Sequence, residues 1–396
     1  MIYMDNAATT AVLPEVLDKM IPYYKDIYSN PSAIYSFAQK SKNAVEDARS
    51  VIADTLGAAP GEIYFTGGGS ESDNWAVKLA ADKYRDKGTH IITTAIEHHA
   101  VLHTTEYLEK LGFDVTYVKP DSNGYIPPSK VAEAIRPDTI LISVMTANNE
   151  VGTIEPISEI GKIAHERGII MHTDAVQAYG HIPIDVTAMN IDMLSASGHK
   201  FNGPKGVGFL YVSNKVKFGS FIHGGAQERG RRAGTINVPG IVGMAEAAKI
   251  HAQEMADDIA YISKLRNYMI DKIKSEIPYS YINGSLSDRL PNNINVSFEF
   301  IEGETLLIML DQDGICASSG SACTSGSLNP SHVLKAMGIT DSLSHSALRL
   351  SISKSTTYED ADYVIGRLKV YVDKLRQMSP EYLRNGAIGA RHCELE

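Results

Sequence analysis

The 396-residue sequence is poor in cysteine, with Cys316, Cys323 and Cys393 alone. The count is odd and the spacings match neither a disulfide framework nor a zinc ribbon, so reduced thiols are expected. No apolar run approaches the roughly 20 residues that a membrane-spanning helix needs, and no membrane partner is expected. The opening MIYMDNAATT has neither the basic nor the apolar region of a secretion signal, which makes a cytoplasmic location the expectation. Positive charge is scarce as well: 37 Lys and Arg face 47 Asp and Glu, a formal net charge of −10. Such a balance argues against direct grip on a nucleic-acid backbone. His99 and His103 are four residues apart, yet HExxH and a well-spaced carboxylate partner are both missing, so no metal is expected.

What is present is an ordinary soluble composition, 43 % hydrophobic and 21 % charged, in a chain long enough at ~150 residues per domain for two domains or three. Apolar residues recur at three- and four-residue steps from about Pro14 to Ile27 and from Phe37 to Leu56, which predicts helices. From Glu62 to about Met193 short apolar runs (EIYFT, HIITT, VTYV, ILISVM, GIIMHTD, DMLSAS) alternate with helix-length segments. That alternation predicts an α/β fold, a large domain with a mostly parallel sheet flanked by helices. A long amphipathic stretch from about Val238 to Ile277 changes the organisation. NNINVSFEF, a helix near Glu304 to Leu310, ALRLSIS and a closing helix from Tyr358 to about Met378 then read as a smaller α+β domain.

In parallel sheets ligands bind beyond the carboxyl ends of the strands, so the polar residues that follow each apolar run carry the functional signal. TGGGSESDNW opens a helix with Gly67, Gly68 and Gly69, whose amides turn outward freely, and with Ser70 as candidate cap and hydroxyl donor. An anion, most simply a phosphate, fits there; a plain glycine turn is the bland alternative. AIEHHAV places His98 at a strand end. HTDAVQAYG ends a buried strand with Asp174, which needs a cation, a strong donor or a capping role, and Gln177 follows three residues later. SGHKFNGPKG presents Ser197, His199 and Lys200 in a turn, where a partly desolvated amine is suited to Schiff-base chemistry. Pro204 stands where a Walker A loop needs lysine, which rejects an ATP site. Arg229, Arg231 and Arg232 form either a solvated loop or a local anion site. A phosphate cup, a carboxylate for a pyridinium nitrogen, a stacking histidine and a lysine together are what pyridoxal 5′-phosphate (PLP) requires.

Cys323 sits in SSGSACTSG, a segment of Ser, Gly, Ala and Thr with almost nothing to bury and therefore expected to move. A mobile thiol can meet a buried reactant and then an outside acceptor. Cys316, just before it, reads as a small buried hydrophobe.

MDNAATT, ESDNW, EHHAV, ANNEVGTIEPI, HTDAVQAYGHIPIDV, SGHKFNGPKGVGFLYV, GGAQERGRRAGT, SSGSACTSGSLNPSHVLKAMG and ALRLSIS, in this order, resemble NifS/IscS-type cysteine desulfurases. The likeness runs from about Tyr3 to Met378, with a cysteine loop of the group I form. It implies PLP-dependent transferase fold type I, with a seven-stranded sheet in a large domain (13–257) and a small domain (1–12 and 258–396) carrying Cys323. It further implies that Lys200 carries PLP, His98 stacks on the ring and moves protons, and Asp174 pairs with the ring nitrogen. Asn149 and Gln177 would meet the ring oxygen. Gly69, Ser70, Ser197 and His199 would hold the phosphate, with Thr235 reaching in from the other subunit of a homodimer. Arg349, with Asn149, would take the carboxylate of L-cysteine, and Cys323 would accept its sulfur for iron-sulfur assembly on a U-type scaffold protein. The phosphate loop departs from many relatives by reading GGGSES, with Ser where Thr is usual.

Overall fold

The computed structural model describes residues 1–217, 219–319 and 330–386. The strands are β1 (Ile2–Tyr3), β2 (Ile63–Thr66), β3 (His90–Thr94), β4 (Asp114–Val118), β5 (Thr139–Ser143), β6 (Ile170–Asp174), β7 (Met193–Ser197), β8 (Gly208–Val212), β9 (Ser280–Ile282), β10 (Asn293–Phe298), β11 (Ile315–Cys316) and β12 (Ala347–Ser351). β2 to β8 form one seven-stranded sheet in the order β2-β8-β7-β6-β5-β3-β4. Only β8 runs against its neighbours, pairing antiparallel with both β2 and β7.

The central strands are buried and mostly apolar because both sheet faces are covered there. Successive side chains point to opposite faces. Ile92, Ile142, Met171, Leu194 and Phe209 accordingly join one core, which the helix Ser36–Leu56 and the start of Val238–Glu276 complete. Their neighbours Ile91, Leu141, Ile170, Met193 and Leu210 join another, under the helix Gly69–Tyr84 with its buried Trp75.

A third core holds Met4, the antiparallel sheet β12-β10-β9 and the helices Gly303–Gln312 and Tyr358–Met378. The 39-residue helix Val238–Glu276 spans two cores: Val238 to Ala248 pack in the first, Ile262 to Ile273 in the third. The predicted Pro14–Ile27 helix is in fact two, Pro14–Met20 and Pro22–Lys25. Pro22 divides them because it has no N–H to continue the first helix and suits the opening of the second. Cys316 is half-buried in β11, pairing with Tyr3 of β1. Cys323 and Cys393 lie outside the described residues. Among the described residues no helix is long and apolar enough to cross a membrane.

Candidate active site

β3, β5, β6 and β7 run parallel, so their carboxyl ends open on the same edge of the sheet. There they deliver His98, Asn149, Asp174, Ser197, His199 and Lys200 to one cavity of about 390 Å³, a volume suited to a small cofactor. Gly69, Ser70, Gln177 and Arg349 line it too.

Lys200 ends a short turn, Gly198–Lys200, directly after β7. Its Nζ donates to the carbonyls of Ala7 and Ala8 at 2.7 and 2.9 Å. Gln177 Nε2 donates to the same Ala7 carbonyl at 2.9 Å. The amino-terminal segment thus forms one wall, and its alanines let its backbone approach the amine. His199 Nδ1 meets Thr9 Oγ1 of this segment at 3.1 Å.

Asp174 is fully buried at the end of β6. One oxygen accepts the Val176 N–H at 2.8 Å, so the residue shapes a turn rather than capping a helix. Burial pushes its carboxyl up to about 6, against the pull of that N–H and of Lys200. A cation at the other oxygen would bring it back to ordinary carboxylate behaviour. His98 caps the helix His99–Glu109, its Nδ1 accepting the Ala100 N–H at 3.1 Å. That bond leaves Nε2 as the protonated nitrogen of the neutral ring. Burial and the positive charge of Lys200 pull His98 down to about 4.

The glycine loop opens the helix as expected, with one correction. Ser70 does not cap the helix; Gly68 occupies that position and Ser70 lies in the first turn. The third glycine moves the helix start forward. Gly68, at φ +148°, adopts a conformation that side chains disfavour, and a Cβ on Gly69 would lie 2.6 Å from Val176 Cγ2. Backbone amides, the exposed Ser70 and the positive end of a 16-residue helix therefore face the cavity.

Arg349, on β12, is 3 % exposed. It donates to Asp5 Oδ1 at 3.0 Å and to the Asn149 carbonyl at 2.9 Å, while its Nε has no partner. Thr235 is not in this cavity. It lines a smaller one beside Gly67 and Arg232. The arginine cluster splits up: Arg229 lies over the Tyr64 ring, and Arg232 makes two bonds to Glu71, at 2.8 and 3.1 Å.

Comparison with known proteins agrees with this architecture. Residues 2–364 match the model of the aminotransferase class-V family. The chain is 54 % identical to the cysteine desulfurase IscS of Methanosarcina thermophila, over 96 % of this chain and 94 % of that protein. It is 51 % identical to the cysteine desulfurase IscS of Clostridium botulinum strain Hall, over 97 % and 98 %. This chain is a class-V aminotransferase family member of the IscS cysteine desulfurase type. Among solved structures, a NifS-like protein superposes with a TM-score of 0.89 at 39 % identity, covering 94 % of this chain and all of that one. A NifS-like protein from Rickettsia africae gives 0.85 at 30 % identity, over 94 % and 99 %.

PLP is the cofactor of this family, and the residues present fit it. The cavity pairs a lysine amine with a buried carboxyl whose raised affinity for a proton asks for a cation, at a glycine cradle that a Cβ would fill.

Three features of the site escaped the sequence reading. The Ala7 and Ala8 carbonyls grip Lys200, Asp5 pairs with Arg349, and Asp73 lines the cavity beside His98 and Asp174. Asp73 had a signal: it lies three residues after Ser70, on the same helical face.

Proposed function

We propose that this cysteine desulfurase converts L-cysteine to L-alanine and takes the sulfur onto the Cys323 thiol as a persulfide. The convergence of Lys200, Asp174 and Arg349 on one cavity carries the reading. Lys200 would hold PLP covalently, Asp174 would face its ring nitrogen, His98 its ring face, and Asn149 and Gln177 its ring oxygen. Gly69, Ser70, Ser197 and His199 would take the phosphate, with Thr235 supplied by the second subunit of a homodimer. Bound PLP supplies an electron sink that makes the substrate's α-proton acidic and its carbon–sulfur bond breakable.

The chain's own residues do the rest. Arg349 grips the substrate carboxylate in a two-pronged bond that lysine could not reproduce, and Asn149 flanks it. The Lys200 amine, released by the incoming substrate, takes the α-proton. The Cys323 thiolate then attacks the substrate sulfur: an S–S bond forms, the C–S bond breaks, and its electron pair stays with the carbon skeleton. Proton return to that skeleton gives alanine. The Ala7 and Ala8 carbonyls would hold the lysine amine where it must act.

The small unit, residues 1–12 and 258–396, would present the thiol to the large one, residues 13–257. The sulfur would pass to a U-type iron-sulfur scaffold in the cytoplasm, and SGSLNPSHVLKAMG leans toward the nitrogen-fixation branch. The test is incubation of purified, PLP-loaded protein with L-cysteine and a thiol reductant. Alanine and sulfide in equal amounts, abolished by Lys200→Ala, support the reading. Transamination without sulfide, or a protein that takes up no PLP, would point instead to an aminotransferase or to a non-catalytic scaffold.

A further inference from the structure

The face of the large sheet under the helix Gly69–Tyr84 is mostly apolar and carries a polar seam across β5, β6 and β7. Register explains the seam: Ser143 pairs with His172 across β5 and β6, and Asp174 with Ser195 across β6 and β7. Ser143, His172, Ser195 and Asp174 therefore share the sheet face that Ile170 and Met193 give to the core beneath that helix. His172 Nδ1 meets Ser143 Oγ at 2.8 Å and its Nε2 meets Ser195 Oγ at 3.1 Å. Asp73 descends from the helix onto this seam. It is 1 % exposed, and its Oδ1 lies 3.8 Å from His172 Nε2, beyond bonding distance and with no hydrogen-bond partner. Asp73, His98 and Asp174 bring one polar atom each within 4.8 Å of one another.

Two buried carboxyl groups at this spacing do not both ionise; one keeps a proton. The surroundings choose which. Asp174 accepts a backbone N–H and feels the charge of Lys200. Asp73 is disfavoured as an anion first by its burial and then by the charge of Asp174; the Ser195 hydroxyl works the other way without reversing the outcome, and Glu97, itself pushed up to about 8 by burial, adds its repulsion only where it ionises. The remaining titratable neighbours of Asp73, the half-buried His98 and the buried His172, are both neutral, pulled down to about 4 and about 3. Neither supplies a cation.

We propose that Asp73 is a positioning residue for the cofactor ring, a neutral carboxylic acid lying against Asp174 that leaves Asp174 as the single negative charge facing the ring nitrogen. An ionised Asp73 would spread the charge over two groups and draw the ring's proton away from its partner. The neutral acid also gives the cavity a donor where an anion could only repel. The inference rests on the cofactor reading above.

Infrared difference spectroscopy of wild-type holoenzyme against Asp73→Asn tests it near pH 8. The C=O stretch of a protonated carboxylic acid is expected in the wild type and lost in Asp73→Asn, and lost again in Asp73→Ser should the asparagine variant fail to fold. The pH midpoint of the cofactor's visible absorbance should stay within about half a unit in Asp73→Asn, whose amide mimics the neutral acid, and move by roughly a unit or more in Asp174→Asn. Loss of a carboxylate band rather than an acid band would overturn the proposal, as would a midpoint shift in Asp73→Asn as large as that in Asp174→Asn. The infrared comparison can be repeated on cofactor-free protein. An acid band there, in a protein that takes up no PLP, would sink the cofactor reading and leave the protonation of Asp73 standing.

Discussion

Arg349 and Ser318 bond to each other in both directions through the main chain: the Arg349 N–H donates to the Ser318 carbonyl at 2.7 Å, and the Ser318 N–H to the Arg349 carbonyl at 3.2 Å. Ser318 opens SSGSACTSG, so the strand that carries the proposed carboxylate-binding arginine also anchors the start of the cysteine segment. Further along the chain, Ser331 Oγ bonds Glu150 Oε2 and His332 Nε2 meets the Glu97 carbonyl, next to Asn149 and His98 in sequence.

Arg349→Lys keeps a positive charge and removes the planar fork that holds Asp5 and the Asn149 carbonyl together. We expect kcat/KM for L-cysteine to fall roughly tenfold to a hundredfold, chiefly through KM, because the lost contact serves ground-state binding. Steady-state kinetics of alanine formation would check this, and an unchanged KM would remove Arg349 from substrate binding.

Asp174 predicts the pH dependence of the cofactor-free protein. Its folded pKa, about 6, lies above its ordinary 3.8, so the folded state holds the proton more tightly than the unfolded chain. That contribution to stability is fully present below pH 4 and lost as pH rises through 6. Thermal melts of apo-protein should therefore show the wild type losing stability across this window relative to Asp174→Asn, which cannot ionise. PLP binding should reverse the loss above pH 6. Parallel melting profiles for the two apo-proteins would contradict the assignment.

His98 is held neutral because burial and Lys200 pull it down to about 4 from 6.5. Protonation favours the unfolded chain here, so the stabilising contribution is present above pH 6.5 and lost as pH falls through 4. Since the ring does not titrate between about pH 5.5 and 8, it should set no limb of the rate profile there. His98→Gln is expected to lower kcat by roughly a hundredfold or more while leaving the midpoint of any acid limb in place. A limb that disappears in the variant would show that His98 ionises near neutrality.

The large sheet was legible because both its faces are buried, which makes β3, β5, β6 and β7 read as short apolar runs ending in polar residues. His98, Asp174 and Lys200 were readable for the same reason, as costly groups at the ends of those runs. What escaped depends on chain segments far apart in sequence. Nothing local in MDNAATT says that Ala7 and Ala8 will offer their carbonyls to an amine 193 and 192 residues away. The helix cap was misplaced by two residues, Ser70 instead of Gly68, since three consecutive glycines leave the local pattern without a unique first turn. The helix Val238–Glu276 was legible as an element, whereas its division between two cores is a matter of packing. Thr235 sits away from the cavity of its own chain, beside Gly67 and Arg232, a placement set by the fold and not by its local sequence.

The role of Cys323 is tested most directly by mass spectrometry of the enzyme after brief exposure to L-cysteine without reductant. The peptide containing Cys323 should gain the mass of one sulfur atom, lose it on reduction, and show no gain in Lys200→Ala. Alanine formation at the wild-type rate by Cys323→Ala, with no sulfur carried on the wild-type peptide, would contradict sulfur transfer through this thiol.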